Sequence, residues 1–203
     1  MIGPAVSGDL HIGPDGVLRC GWASSAPEYL RYHDEEWGRP VRDEDALYER
    51  LCLEGFQSGL AWITILRKRE AFRDAFAGFR VERVASFGER DVARLLADAR
   101  IVRHRGKVEA AIANARAALA LRAAGGSLAE LVWSHAPAAH PAPRTPGDVP
   151  ASTPASAALA RTLRGHGFRF VGPTTAYALM QATGMVDDHV ATCFRAQAQP
   201  SAR

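Results

Sequence analysis

The chain has 203 residues, of which 47% are hydrophobic and 23% are charged, and these are ordinary proportions for one globular domain with its own core. Its net charge of +3 is a mild hint of a polyanionic partner. No stretch approaches the ~18 consecutive apolar residues of a membrane span, and residues 1–18 lack the pattern of a secretory signal. The 3 cysteines are an odd count, which argues against a disulfide framework and indicates a reducing, cytoplasmic environment.

The domain organisation is expected to be simple. We expect a single domain over residues 19–195, with a disordered leader at 1–18 and a disordered tail at 196–203. The sequence shows no alternating strand pattern of useful length and no internal repeat. The predicted fold class is therefore all-α.

Helical periodicity and capping residues predict one helix after another along this domain. The predicted helices cover residues 43–53, 58–76, 81–87, 89–99, 104–124, 127–135, 153–165, 172–184 and a final segment that carries His189 and Cys193. Asp43 and Ser58 are taken as N-caps, and Glu54-Gly55 as the end of the first of these helices or as a kink in it. Residues 136–150 are rich in proline and predict a surface loop.

A metal site is suggested by residues near both ends of the chain. His189 and Cys193 stand four apart, a spacing that places both side chains on one face of a helix. With Cys20 and His33, which lie in a segment of little periodicity, they would complete a tetrahedral Cys2His2 zinc site. Four protein ligands leave no open position, so such a metal would be structural. Alternatively, the cysteines are small buried hydrophobes and the histidines are ordinary hydrogen-bonded groups.

Residues 168–176 are typical of two helices joined by a tight turn. A glycine at the turn, Gly172, would let a phosphate approach the backbone, and the amides at Thr174 and Thr175 would then bind it. This pattern predicts a helix-hairpin-helix that grips a DNA strand without reading its sequence. Alternatively, it is an ordinary connection inside a helical bundle.

Aromatic residues are concentrated in the first third of the chain, beside one carboxylate in an apolar context. The aromatic residues are Trp22, Tyr29, Tyr32, Trp37 and Trp62. The carboxylate is Glu54, and a buried carboxylate needs a partner or a function. Aromatic faces with one carboxylate suit a flat, positively charged ligand. Alternatively, these residues form a tryptophan-rich core in which Glu54 caps a helix or pairs with an arginine.

Long blocks of the sequence resemble the 3-methyladenine DNA glycosylase I family of helix-hairpin-helix base-excision enzymes. The matching blocks are Arg19-Cys20-Gly21-Trp22, Tyr32 through Gly38, Leu53 through Leu66, Arg103 through Lys107, Ser152-Thr153-Pro154, Phe168 through Gly172 and Asp188-His189-Val190. The resemblance covers nearly everything from Arg19 to Cys193. It implies a glycosylase that hydrolyses the N-glycosidic bond of 3-methyladenine in double-stranded DNA after flipping the nucleotide out.

The resemblance also implies roles for individual residues. One structural zinc is implied on Cys20, His33, His189 and Cys193. A base pocket is implied with Glu54 as the candidate catalytic group, with Tyr32 and Trp62 as stacking faces that sandwich the ring, and with Trp22, Tyr29 and Trp37 as the remaining wall. DNA contacts are implied at Gly59 and Leu60, which fill the gap left by the nucleotide, and at Gly172, Thr174 and Thr175, which hold a phosphate.

The resemblance implies a monofunctional enzyme without lyase activity, and we expect it to be a monomer. Neither Asp187 nor Asp188 is assigned a catalytic role, and both are expected to cap the last helix. One alternative is a zinc-stabilised DNA-binding module without catalysis. A second is a zinc hydrolase, which needs an open coordination position.

Overall fold

A computed structural model describes residues 10–197, and its architecture is mostly helical, as the sequence predicts. The α-helices are α1 (Pro27–Glu35), α2 (Glu44–Gln57), α3 (Trp62–Ala75), α4 (Val81–Ala85), α5 (Glu89–Ala97), α6 (Arg105–Ala123), α7 (Leu128–Trp133), α8 (Pro154–Gly165), α9 (Pro173–Ala182) and α10 (Phe194–Gln197). Short 3-10 helices cover Gly21–Ser25, Ala77–Phe79 and Pro146–Asp148. None of the described helices is long and apolar enough to cross a membrane.

A small β-hairpin occupies part of the segment that was predicted to be a disordered leader. Strand β1 (Leu10–Ile12) pairs antiparallel with β2 (Leu18–Cys20), so that prediction is wrong for the described part of the leader. Strands of three residues are too short to leave an alternating pattern in the sequence. Residues 1–9 and 198–203 lie outside the described residues, and α10 extends two residues into the predicted tail.

Side-chain N-caps begin several helices, and the predicted cap Asp43 is one of them. The side chains of Asp43, Ser127 and Thr153 each accept a hydrogen bond from the backbone N–H three residues on, at 2.9, 3.0 and 3.1 Å. Pro154 follows Thr153 at the first position of α8, where its missing N–H costs nothing. Short polar side chains at these positions therefore set the start of α2, α7 and α8.

The boundary between α2 and α3 differs from the prediction. Helix α2 continues through Glu54 and Gly55, and Ser58 ends it rather than capping the next helix. Helix α3 begins only at Trp62, after Gly59 takes a left-handed conformation. The segment from Leu47 to Phe56 is buried on nearly all sides, and this tertiary burial outweighs the low helix propensity of one glycine.

The predicted last helix, with His189 and Cys193 on one face, is wrong. Residues 187–193 are non-helical, and α10 starts at Phe194. The Asp187 carboxylate accepts the backbone N–H of His189 at 3.1 Å, a local bond that competes with a helix. The N–H of Ala191 donates to the carbonyl of Pro143 at 2.8 Å, so it is also used outside a helix.

The segment between Cys20 and His33 is more regular than predicted. It consists of the 3-10 helix Gly21–Ser25 and helix α1, in which His33 is fully buried near the C-terminal end. Pro27 stands at the first position of α1, as is usual for a helix start. His33 is therefore placed by a helix rather than by an irregular loop.

Helix α2 is central to the core. It packs against α3, α6 and α9, and its Phe56 lies against Phe72 and Phe76 with ring centroids 4.6 and 5.7 Å away. The Tyr48 hydroxyl is also buried and donates to the carbonyl of Ala111 on α6 at 2.8 Å. Because α2 is held on several sides, Glu54 near its C-terminal end has a fixed position.

The end of α9 lies directly against the loop that follows α1. Gly184 has a φ of 71°, and a Cβ at this position would lie 2.7 Å from the carbonyl oxygen of Gly38 and 2.8 Å from the carbonyl carbon of Arg39. The N–H of Val41 donates to the carbonyl of Thr183 at 3.2 Å. The two contacts join the N-terminal and C-terminal parts of the domain.

We predict that Gly184→Ala destabilises the protein more than Gly125→Ala does. Gly125 also has a positive φ of 84°, but a Cβ there meets nothing within 4 Å, so Gly125→Ala should cost only the backbone strain of about 1 kcal/mol. Gly184→Ala adds a backbone overlap and should cost about 1–3 kcal/mol more. Urea denaturation of both variants measures the difference, and equal losses would contradict the close packing at Gly184.

Candidate functional site

A cavity of about 420 Å³ opens between α1, α2, the start of α3 and α9. Its lining residues are Trp22, Ser25, Tyr29, Tyr32, Trp37, Glu54, Gln57, Trp62, Ala178 and Gln181. All five aromatic residues and the carboxylate singled out from the sequence therefore line one cavity. Sequence reasoning gave no role to Ser25, Gln57, Ala178 and Gln181, although Gln57 lies in the block Leu53 through Leu66.

A second cavity, of about 510 Å³, lies between α5, α6 and residues 166–169. Its wall carries the carboxylates of Glu89 and Glu109 beside Arg116 and Arg169, and Phe87 is its aromatic member. It lacks the buried, unpaired carboxylate and the aromatic walls of the first cavity. We therefore assign the chemistry to the cavity around Glu54, although it is the smaller one.

The aromatic walls of the Glu54 cavity touch one another. Trp22 meets Tyr29 and Trp37 edge to face, with ring centroids 5.6 and 5.2 Å apart. The Tyr32 and Trp62 rings have centroids 5.6 Å apart and planes at 46°. A ring held between two parallel faces needs about 7 Å between them. The predicted sandwich is therefore not open here, and Tyr32 and Trp62 form adjoining walls.

Glu54 is buried without a partner. The residue is only 5% exposed. Its carboxylate makes no hydrogen bond or ion pair with another residue in the described part of the chain. Arg50, one turn earlier on α2, pairs with Glu36 at 3.0 Å instead. Burial raises the pKa of Glu54 to about 8, while the nearby charge of Arg50 acts in the opposite direction. The alternative in which an arginine pairs with Glu54 is therefore wrong.

Other polar groups around the cavity have defined orientations. The Trp62 Nε1–H is buried with no hydrogen-bond partner among the described residues. The Tyr29 hydroxyl accepts the N–H of Ile63 at 2.9 Å. The Gln181 Nε2 donates to Asp188 at 2.7 Å, and the Gln181 side-chain oxygen has no hydrogen-bond partner among the described residues. The cavity thus combines an unpaired acid with an unpaired donor.

Asp188 holds a buried hydrogen-bond network rather than a helix cap. Its carboxylate accepts the Tyr177 hydroxyl at 2.6 Å and the Gln181 amide at 2.7 Å, and it contacts His140 Nε2 at 2.7 Å. The predicted role of Asp188 as a cap is wrong because its oxygens are used by these side chains. The same network removes Asp188 from contact with the cavity, where Gln181 stands in front of it.

The predicted metal ligands come together, with one of them set slightly apart. Ligand atoms of Cys20, His33 and Cys193 all lie within 4.8 Å of one another, and the three residues are buried. The fourth, His189, has its ring centroid 4.9 Å from that of His33, and its Nε2 is buried with no hydrogen-bond partner within the described chain. We call these four residues the cysteine–histidine cluster.

Carboxylates orient both histidines of the cysteine–histidine cluster. His33 Nδ1 contacts Asp34 at 2.8 Å, and His189 Nδ1 contacts Asp187 at 2.7 Å. Arg19 in turn donates to Asp34 at 3.0 Å. Carboxylates on one ring nitrogen are the usual outer contacts of metal-bound histidines, and they leave the other nitrogen free to bind a metal.

The two cysteine sulfurs lie within 4.8 Å of each other. Their interaction lowers the pKa of Cys193 and raises that of Cys20. His33 Nε2 lies 3.4 Å from the Cys193 sulfur and stabilises the same thiolate. The two sulfurs, the Nε2 of His33 and the unpartnered Nε2 of His189 form the S2N2 donor set that suits tetrahedral zinc.

The cavity wall rests on the cysteine–histidine cluster. The Trp22 ring lies 5.2 Å from the ring of His33, and the Trp37 ring lies 4.6 Å from that of His189. Displacing either histidine would therefore move an aromatic wall. The cluster and the cavity form one structural unit.

The residues expected to contact DNA lie at two exposed turns. Gly59 has a φ of 81°, and Leu60, which follows it, is 40% exposed. Gly172 is the N-cap of α9, and Thr174 and Thr175 stand in the first turn of that helix, where backbone N–H groups have no partner within the helix. The structure thus presents an apolar tip and a helix N-terminus.

The fold and the site define a helical protein with an aromatic cavity beside a buried acid. Residues 22–196 match the model of the family described as methyladenine glycosylase. The chain is 49% identical to DNA-3-methyladenine glycosylase 1 of Escherichia coli over 86% of this chain and 95% of that protein. It is 42% identical to DNA-3-methyladenine glycosylase of Haemophilus influenzae, over 87% and 97%.

Solved structures agree with the sequence comparisons. A crystal structure of 3-methyladenine DNA glycosylase I superposes with a TM-score of 0.85 at 48% identity, covering 90% of this chain and all of that one. A structure of the Staphylococcus aureus enzyme, described as the structural basis of 3-methyladenine recognition, has a TM-score of 0.84 at 34% identity, over 91% and 98%. The chain therefore belongs to the methyladenine glycosylase family.

We predict that Glu54 makes the stability of the free protein depend on pH. Its pKa of about 8 in the folded state exceeds the ordinary value of 4.5, so the folded state holds a proton that the unfolded chain releases between these values. The free energy of unfolding should therefore fall by roughly 3–5 kcal/mol as the pH rises from about 4.5 to about 8. Glu54→Gln should remove this contribution.

Urea denaturation of the wild type and Glu54→Gln at about pH 5 and about pH 8 measures the effect as a difference between the two proteins. Taking the difference between the two proteins cancels the contributions of the other titrating groups to the pH dependence. Parallel pH dependences would show that Glu54 is already ionised in the folded state.

Proposed function

We propose that this protein is a DNA-3-methyladenine glycosylase of the base-excision pathway of DNA repair, acting on double-stranded DNA that contains alkylated bases. The family membership and the names of its relatives support the activity. The single observation that carries it in this chain is the unpaired Glu54 carboxylate, buried in a cavity with aromatic walls. Burying such a carboxylate without a partner costs free energy in the empty protein, and binding of a cation offsets that cost.

Charge explains how the damaged base is selected. An adenine methylated at N3 in DNA is cationic, whereas undamaged adenine is neutral. In our proposal Glu54 accepts hydrogen bonds from the polar edge of the base, and the adjoining rings of Tyr32 and Trp62 form the aromatic wall against which the base packs. A cation gains from both the carboxylate and the aromatic quadrupoles, and a neutral base gains much less from either. Trp22, Tyr29 and Trp37 complete the wall.

Access to the base requires the nucleotide to be flipped out of the duplex. We assign Leu60 to the vacated space, since it is exposed on a turn that Gly59 makes sharp. Gly172, Thr174 and Thr175 at the start of α9 bind a backbone phosphate through first-turn amides. Flipping costs a few kcal/mol, and less at a damaged pair. The contacts of Leu60 and of the start of α9 offset the cost of flipping, and they do not depend on the DNA sequence.

The reaction breaks the bond between the base and C1′ of the sugar. Its electron pair leaves with the base, which thereby becomes neutral, and water adds to C1′ and releases a proton to the solvent. The positive charge already weakens this bond, so the enzyme does not need to protonate the leaving group. Glu54 therefore acts by holding the base in the geometry for departure, and its proposed catalytic role is electrostatic.

The lysines of the chain support a monofunctional reaction without strand cleavage. A lyase step uses an amine to form a Schiff base with the sugar. The two lysines of the sequence are Lys68 and Lys107. Lys68 donates to the carbonyl of Arg100 at 2.8 Å, and Lys107 to that of Phe56 at 2.9 Å. Neither lines the Glu54 cavity.

We also propose one structural zinc ion in the cysteine–histidine cluster. The buried, unpaired Nε2 of His189 and the three gathered ligand atoms support it. Cys20, His33, His189 and Cys193 would hold the ion, and it would supply structural support only, since four protein ligands fill a tetrahedral site. The alternative of a zinc hydrolase needs a ligand position that this set does not leave open.

Two further proposals concern the state of the protein. We propose that it acts as a monomer and that it resides in the cytoplasm. The three cysteines are free and buried, and free thiols are usual in a reducing compartment.

Base release from methylated DNA tests the function directly. The wild-type protein should release free 3-methyladenine, and Glu54→Gln should lower kcat/KM by about 10- to 100-fold, because a hydrogen bond to a charged group is worth about 1.5–3 kcal/mol. The wild-type kcat/KM should rise as the pH approaches the Glu54 pKa of about 8, because only the ionised carboxylate attracts the cation. The Glu54→Gln profile should lack this rise.

Glu35→Gln is the matched control, since Glu35 is an exposed carboxylate on α1 that does not line the cavity. It should behave as the wild type. Folded wild-type protein that binds methylated DNA without releasing any base would instead support the non-catalytic DNA-binding module.

We predict that His189→Ala lowers the zinc content and the stability, whereas His140→Ala retains the metal. Both histidines contact an aspartate, but only His189 has a free buried Nε2 in the cluster. Loss of one ligand should cost about 3 kcal/mol or more in the free energy of unfolding. Metal analysis and urea denaturation of one preparation measure both effects.

Cobalt substitution supplies an independent readout for the same cluster. A four-coordinate spectrum with thiolate bands agrees with the proposal. A five-coordinate or water-bound spectrum would favour the hydrolase alternative.

A further inference from the structure

Phe170 combines exposure with an unfavourable backbone conformation. It lies in the turn between α8 and α9, is 43% exposed and has a φ of 54°. A left-handed conformation is disfavoured for a bulky side chain. Phe79 has the same φ of 54°, but its ring is fully buried in the core, which offsets the strain. The ring of Phe170 is exposed, so burial in the core does not offset its backbone strain.

A buried asparagine fixes the backbone next to Phe170. The N–H of Arg169 donates to Asn114 Oδ1 at 2.7 Å, and Asn114 Nδ2 donates to the carbonyl of Arg169 at 3.2 Å. Asn114 is itself buried on α6. A two-way bond of this kind leaves the turn little freedom, so Phe170 is held in its exposed position. Sustained strain of this type is concentrated at functional sites.

Phe170 stands on the same end of the molecule as Leu60. A Cβ at Gly55 near the end of α2 would lie 3.6 Å from the Phe170 Cβ, and the His104 ring has its centroid 6.1 Å from that of Phe170. Lys107, one turn after His104, donates to the carbonyls of Phe56 and Ser58 and so holds the turn that carries Leu60. Contacts with α2 and α6 therefore hold both exposed apolar residues, Leu60 and Phe170, in place.

Two exposed arginines lie next to Phe170 in the chain or next to His104, whose ring contacts Phe170. Arg103 and Arg169 are exposed, and their side chains form no ion pair with any residue that the structure describes. His104 is exposed as well, and the N-terminus of α9 begins at Gly172. An exposed ring among unpaired guanidinium groups suits nucleic acid, which offers base faces and phosphates together.

We propose that Phe170 is a second apolar DNA contact, which packs its ring against a nucleobase of the duplex beside the flipped nucleotide. The inference rests on the proposed glycosylase function. Removing one base from the stack leaves its neighbours partly unstacked, and an aromatic ring held rigidly at the protein surface replaces the lost stacking. Leu60 fills the vacancy, and Phe170 supports the distorted duplex next to it.

The test compares Phe170→Gly with Ile12→Ala, using a duplex that carries a tetrahydrofuran abasic analogue. Glycine accepts the left-handed backbone, so Phe170→Gly should keep an unfolding midpoint close to that of the wild type. It should bind the duplex about tenfold more weakly, and Phe170→Trp should restore the affinity. Ile12 is equally exposed but lies on β1, and Ile12→Ala should bind as the wild type.

Two further readouts identify the nature of the contact. Salt dependence should distinguish it from a phosphate contact: Phe170→Gly should leave the slope of log Kd against log salt unchanged, whereas Arg169→Gln should reduce it. The wild type should also change the fluorescence of 2-aminopurine placed beside the abasic site, and Phe170→Gly should lose this change.

The outcomes separate the inference from the proposed function. Unchanged DNA affinity of Phe170→Gly, with a wild type that releases 3-methyladenine, overturns the inference alone. A wild type that neither binds the duplex nor releases the base overturns both. Weaker binding of free 3-methyladenine by Phe170→Gly would place the effect in the base cavity and overturn the assignment to the duplex. Sedimentation that shows wild-type dimers and Phe170→Gly monomers would assign the ring to a second copy of the chain.

Discussion

Closure of the chain on itself is the constraint on which the base cavity depends. The cysteine–histidine cluster brings residues near the start of the domain against residues near its end, and Gly184 packs onto the backbone that follows α1. Trp22 and Trp37 rest on the histidines of the cluster, so the cluster supports part of the cavity wall. Contacts that close so long a loop remove much conformational freedom from the unfolded chain. The same contacts that stabilise the fold therefore shape the site.

The cavity contains a carboxylate, Glu54, that no positively charged residue of the described chain pairs with. Arg50 would be the natural partner of Glu54, but Glu36 binds it, together with Arg69 at 2.8 Å. Glu54 is left with a raised pKa, and burial also raises the pKa of Tyr32, to which the charge of Glu54 adds. An empty cavity thus favours a neutral Glu54, and a cationic ligand favours its ionised form. We propose that selection of charged bases follows from this coupling. A neutral purine of similar shape has no positive charge to stabilise the ionised form of Glu54.

Much of this arrangement could be predicted from the sequence, though not always for the right reason. Capping residues such as Asp43 and Thr153 act locally, so their helices begin where expected. His189 and Cys193 do meet in the cluster, but through a turn that Asp187 stabilises rather than on a helix face. Gln181 enters the cavity through tertiary packing of α9 on α2, and local sequence carries no signal for that. The relative tilt of Tyr32 and Trp62 is likewise set by packing, which a pattern of residue types does not encode.

Three unfavourable features of the structure lie at the Glu54 cavity and at the turn before α9. Glu54 lacks a partner, the Trp62 Nε1–H is buried without an acceptor in the described chain, and Phe170 keeps a left-handed backbone while its ring is exposed. Each is costly in the free protein, and well-packed residues elsewhere, such as Phe79, offset it. Strain and unsatisfied polar groups persist where a ligand completes them. Because the glycosidic bond of a cationic base is already weak, selection and extrusion are the steps that need this stored energy, and the three features lie where we propose that those steps occur.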